Sequence, residues 1–172
     1  PARIDEVRSI LAILEQQVIR GYHVAGYITY EAAPAFDPAY QTHKPRDLPI
    51  LWFGVYRKPR FETLPANAAL SQPALNWKPS LEKAAYGASL AVIRAHIAAG
   101  DTYQVNFTYP LEAHFDAEPE AWFFERLQAQ QCRYAAYLDL GEQVIMSLSP
   151  ELFFELDGDR ITTRPMKGTR PR

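Results

Sequence analysis

The chain predicts an α+β fold, with antiparallel β-sheets flanked by helices. Three observations lead there. Two segments carry apolar residues at helical spacing, four β-favouring runs follow one another near the C-terminus, and strands outnumber helices without strict β-α alternation. Ile4, Val7, Ile10, Leu11, Leu14 and Val18 paint one face of a helix over residues 2–20, with Gly21 as its stop. Val24 to Tyr30 reads as a strand, residues 32–49 as a proline-bearing loop, and Ile50 to Tyr56 as a buried strand with Gly54 a candidate bulge. Lys58 to Pro79 is irregular, with prolines at 59, 65, 73 and 79. The expected organisation is therefore an N-terminal α/β subdomain over 1–79, including this crossing segment, and a second domain beginning over 80–172.

A second helix is expected from Leu81 to Ala99, capped by Ser80 and stopped by Gly100, with Tyr86, Leu90, Ile93 and Ile97 as its buried stripe. Tyr103 to Phe115 alternates as a strand, which puts Gln104, Asn106 and Thr108 on one polar face. That face suits a cavity lining and a solvent surface about equally. Pro119 opens a third helix that buries Trp122, Phe123 and Leu127. The rest reads as a meander of 134–140, 143–149, 151–156 and 160–164.

Composition narrows the function classes. At 172 residues, 48% hydrophobic and 22% charged, with ten Tyr, nine Phe and three Trp, the chain can bury a core. A net charge of −2 gives no general attraction to nucleic acid or an acidic membrane. No apolar run approaches the ~20 residues of a bilayer span. The single Cys132 rules out an internal disulfide framework and fits a reducing compartment, so the cytoplasm is the expected location. His23, His43, His96 and His114 show no ligand spacing, so no metal site is expected from this chain alone.

The most informative stretch is the last. Asp157-Gly158-Asp159 between two β-favouring runs signals a hairpin. With Gly158 and Asp159 as the loop, Asp157 faces Arg160, and counting outward puts Glu151 opposite Met166, one step from Lys167. Pro150 and Pro165 end the ladder there, since neither donates an N–H. An acid and an amine thus share the open end of a hairpin. On spacing alone a surface salt bridge is the simpler reading, as is solvated charge for Arg160, Arg164, Lys167, Arg170 and Arg172. A small multivalent anion is the ligand such a cation cluster would suit. Gly168 and Thr169 add an approachable backbone and a hydroxyl.

Three motifs resemble a known family. Gly100-Asp101-Thr102-Tyr103-Gln104-Val105-Asn106, Ser149-Pro150-Glu151-Leu152-Phe153 and Arg164-Pro165-Met166-Lys167-Gly168-Thr169-Arg170 are similar to the chorismate-utilising enzymes. Gln104 with Lys167, and the early Gly26 to Pro34, look like the aminodeoxychorismate synthase component I subgroup, the para-aminobenzoate synthase large subunit. Anthranilate synthases, the next resemblance, typically carry Ala at the Lys167 position. The resemblance implies part of a two-sheet fold, with the metal ligands and the remaining sheet downstream, so that these 172 residues are expected to be an N-terminal fragment, inactive alone. It implies Lys167 and Glu151 as catalytic residues, and Gln104, Gly168 and Thr169 as substrate-binding ones. It implies chorismate as substrate, Mg²⁺ as cofactor, and ammonia delivered by a glutaminase subunit or domain. Lys167 would add to the chorismate ring at C2 as Glu151 protonates the departing C4 hydroxyl. This requires a neutral amine, against an ordinary lysine pKa of about 10.4, and a protonated Glu151. A tryptophan-binding effector module and a glutaminase-binding scaffold are the non-catalytic alternatives.

Overall fold

The computed structural model describes residues 3–44, 47–62 and 75–166, and the chain divides into two compact units, residues 1–65 and 66–172. Each is described by itself.

The first unit opens with a 3-10 turn, Ile4–Glu6, where the Arg3 amide donates to the Glu6 carboxylate at 2.7 Å. Helix α1, Val7–Ile19, follows. It ends on Gly21 at φ +87°, with Gly21 N donating to Val18 O and Tyr22 N to Gln17 O. Those two bonds satisfy the last carbonyls in the pattern a left-handed glycine permits. Strands β1, His23–Ile28, and β2, Leu51–Tyr56, pair antiparallel from His23↔Tyr56 to Ile28↔Leu51. A 3-10 turn, Tyr30–Ala35, leaves the sheet, and Thr29 N donates to Ile50 O at 2.9 Å to close it. Val7, Ala32, Ile50 and Leu51 form the core, with Ile10, Leu11, Ala35 and Phe53 packed against it. Of the expected stripe, Val7 is buried and Ile10, Leu11 and Leu14 are half-buried, whereas Ile4 and Val18 are exposed. Gly54 makes no bulge. Its register with Ala25 is regular, and its missing side chain leaves room for the Tyr56 ring. Gly26 is required in the same way, since a Cβ there would collide with the Trp52 carbonyl and Phe53.

Among its described residues the second unit holds three antiparallel pairs and two helices. Strand β3, Lys78–Pro79, pairs with β4, Leu111–Glu112. Helix α2, Lys83–Ala99, starts two residues later than expected, with Glu82 rather than Ser80 as its N-cap. The Ser80 amide is engaged elsewhere, donating to Pro110 O at 2.9 Å, which extends the β3–β4 pairing and holds Ser80 out of the helix. Gly100, at φ +83°, stops α2 as the sequence indicates, with Asp101 N bonded to His96 O. No α2 residue is fully buried. Leu90 and Ile93 are half-buried, and Ile97 is 42% exposed.

The expected strand over 103–115 is mostly absent. Residues 103–110 form no ladder among the described residues, and only Leu111–Glu112 pair. Phe107 and Tyr109 instead stack around Tyr86 of α2, with ring centroids 5.8 and 5.7 Å away. Side-chain alternation alone cannot supply a hydrogen-bonding partner.

Helix α3, Pro119–Gln130, begins with Pro119, and the Glu118 carboxylate accepts from Ala121 N at 2.8 Å. It buries Phe123 and Glu125 and packs on the hairpin of β5, Tyr134–Asp139, and β6, Val144–Ser149, where Phe123 meets Tyr137 at 5.5 Å. Strands β7, Leu152–Asp157, and β8, Arg160–Arg164, make the last hairpin. The expected four-strand meander is therefore two separate hairpins, because β6 and β7 do not pair. The break falls at Pro150, which has no N–H to continue a ladder.

Candidate active site

The turn of the last hairpin forms as its sequence demands. Asp157 faces Arg160, Gly158 takes φ +57°, and the positive φ stops there, as in a two-residue turn with glycine first. The open end differs from expectation. Asp157↔Arg160, Leu156↔Ile161 and Glu155↔Thr162 keep one register, but Leu152 faces Arg164, so the register slips by one residue between Leu152 and Glu155. Counting outward from the turn would have put Leu152 opposite Pro165 and Glu151 opposite Met166. A bulge absorbs one residue of β7, and the ladder ends at Leu152↔Arg164. Period-two counting had no signal for it, since Phe153-Phe154 carry no glycine to mark it.

Glu151 is positioned by its neighbour. The Ser149 hydroxyl donates to Glu151 O at 3.0 Å and accepts from Glu151 N at 3.2 Å. One hydroxyl thus grips both backbone polar groups of the acid, directly after β6. The Glu151 side chain is exposed. Gln104 is exposed too, and its carbonyl accepts from the Thr102 hydroxyl at 3.0 Å, just after the Gly100 stop of α2. Among the described residues Gln104 and Glu151 make no hydrogen bond with each other. Lys167, Gly168 and Thr169 lie outside the described residues, as do Arg170 and Arg172. The cation cluster is not gathered by the two members that are described. Arg160 sits at the turn and Arg164 at the open end, four strand residues or about 13 Å along β8. Asn106 and Thr108 lie in the unpaired stretch, which supplies no strand face for them to share with Gln104.

One pair escaped the sequence reading. His96 Nδ1 lies 2.8 Å from an Asp101 carboxylate oxygen, both side chains more than half exposed. The readable signal was position: His96 in the last turn of α2 and Asp101 just past its glycine stop are brought together by the helix end itself. Among the described residues no three His, Cys, Asp or Glu side chains come together. Among the described residues no helix is long and apolar enough to cross a membrane.

Gly100-Asp101-Thr102-Tyr103-Gln104 follows directly on α2, and Ser149-Pro150-Glu151 lies between the last two hairpins. The family pattern described as chorismate binding enzyme matches residues 58–172, more than half of the chain, and the chain belongs to that family. It is 38% identical over 97 residues to the aminodeoxychorismate synthase component 1 of Salmonella typhimurium, covering 56% of this chain and 21% of that one. The Escherichia coli protein of the same name is 34% identical over 97 residues, with the same coverage. The anthranilate synthase component 1 of Thermus thermophilus is 43% identical over 84 residues, covering 48% of this chain and 18% of that one. The chain thus spans about a fifth of the length of these curated relatives. No solved structure matches it.

Proposed function

We propose that the protein carrying this chain is an aminodeoxychorismate synthase component I. In this reading it converts chorismate and ammonia to 4-amino-4-deoxychorismate on the way to para-aminobenzoate and folate. The observation that carries the reading is Lys167 within Arg164-Pro165-Met166-Lys167-Gly168-Thr169, together with Gln104, in a chain similar to aminodeoxychorismate synthases. The neutral Lys167 amine forms a bond to ring C2, both conjugated ring double bonds shift (to C1–C6 and C4–C5), and the C4–O bond breaks. Glu151 gives that oxygen a proton, so it leaves as water. Ammonia then bonds to C4, both ring double bonds return, and the C2–N bond to lysine breaks. The Ser149 hydroxyl holds the Glu151 backbone through both steps. A glutaminase partner supplies the ammonia. Mg²⁺ would pair with a substrate carboxylate, through ligands other than the described residues.

Chromatography of products from chorismate and an ammonium salt tests this reading. The expected product is 4-amino-4-deoxychorismate, and Lys167→Ala lowers its rate on the order of a thousandfold with the fold retained. An unchanged rate removes Lys167 from the chemistry. The Thermus relative favours a second reading, anthranilate synthase component I, and anthranilate as the accumulating product would establish it.

A further inference from the structure

Two hollows that share Ala113 lie beside the β3–β4 pair. Asn76, Lys78, Glu112 and His114 line one of about 390 Å³. Leu75, Trp77 and Phe115 line an open hollow of about 440 Å³, together with Trp122 of α3 and Val144 and Met146 of β6. The volume suits a small organic molecule. Its walls are apolar and aromatic. Phe115 and Trp122 meet edge to face at 5.7 Å and 90°. The Arg126 guanidinium already lies 5.7 Å from the centre of the Trp122 ring, so that ring is in use by a cation of the chain itself. Trp77, 49% exposed, is the open ring.

One group breaks the apolar lining. Glu142 stands in the β5–β6 turn, exposed, and among the described lining residues it is the only charged side chain. Aromatic rings and a carboxylate in one lining both attract positive charge. No described cation lines the cavity to receive a carboxylate or phosphate. The chemistry therefore selects against anions and zwitterions.

We propose that this cavity is a binding site for a small organic cation, an arylalkylammonium whose ring enters between Trp77 and Phe115 and whose ammonium meets Glu142. The site is separate from Glu151 and Gln104, and it does not rest on the proposed amination.

Two-dimensional NMR of the tryptophan indole N–H groups tests it, with phenethylamine as the probe. Phenethylamine shifts the Trp77 and Trp122 signals saturably, while Trp52, which lines no part of the cavity, is the internal reference. 2-Phenylethanol, of the same size without the charge, binds about fivefold more weakly, and phenylalanine weaker still. Glu142→Gln, an exposed turn substitution, abolishes the preference for amine over alcohol. Trp77→Ala weakens phenethylamine binding about tenfold, with the circular dichroism spectrum unchanged. Equal binding of amine and alcohol, a preference that survives Glu142→Gln, or immobile Trp77 and Trp122 signals would each overturn the site.

Discussion

The β5–β6 and β7–β8 hairpins stand next to each other in sequence and are held in opposite ways. In β5–β6 six residue pairs run without a break from Tyr134↔Ser149 to Asp139↔Val144, and α3 packs upon them through Phe123. In β7–β8 the register slips once, and Phe153, Phe154, Leu156 and Ile161 are 53–85% exposed. Both hairpins have strong turn signals and β-favouring strands. Local sequence therefore forms either ribbon, while only packing against a third element makes one a rigid support. The Ser-Pro-Glu segment lies where the supported hairpin hands over to the bulged one. Its acid is anchored from the rigid side by Ser149.

The sharpest way to break this comparison is to truncate one aromatic in each hairpin's surroundings. Phe123→Ala, at 4% exposure, should cost about 3–4 kcal/mol in urea unfolding, and Phe153→Ala, at 85%, no more than about 0.5 kcal/mol. Equal losses would mean that β7–β8 is held by packing after all. Gly158→Val tests the weaker hairpin at its turn. A β-branched residue at φ +57° should cost about 1–2 kcal/mol, and a neutral result would show that the turn does not set the register.

The supported hairpin can be improved by a smaller amount. Gln131 ends α3 at φ 49°, ψ 33°, with its amide bonded to Leu127 O at 3.0 Å. Glycine is the residue this position favours, so Gln131→Gly should raise stability by about 1 kcal/mol; a loss would show that the Gln131 side chain packs. The smallest effect is with pH. Burial pushes the Tyr137 hydroxyl up from its ordinary value, aided by the negative charges of Asp139, Glu118 and Glu120. The folded state then keeps this proton after the unfolded chain has lost it. The contribution is fully present below about pH 10 and is lost as pH rises through the raised value. Urea midpoints between pH 8 and 11 should fall less steeply in Tyr137→Phe, and parallel curves would contradict the burial of that hydroxyl.

The sequence revealed what is local. The glycine stops of α1 and α2, Pro119 at the head of α3 and the Asp-Gly turn each act within a few residues, and each stands where it was expected. Non-local choices were hidden. Nothing in Tyr103 to Tyr109 announces that its aromatics turn to Tyr86 rather than extend a sheet. Nothing in Phe153-Phe154 marks a bulge, and Ser80 looked like a helix cap because Pro110, whose carbonyl accepts from its amide, lies thirty residues on. At the candidate site the residue types of Gln104 and Glu151 were legible, as was the placing of Glu151 at a ladder's end. The one-residue slip that moves it out of line with Met166 was not.

The bulged ribbon also governs how the protein behaves in a tube. Each outer rim of β7–β8 offers main-chain amides and carbonyls that no neighbouring strand takes up among the described residues, alongside bare phenylalanines. Concentrated solutions will make their first contacts between copies there. Added salt will not disperse the resulting clumps, because charge does not drive them, whereas an outward lysine introduced on β7 will keep the molecules apart.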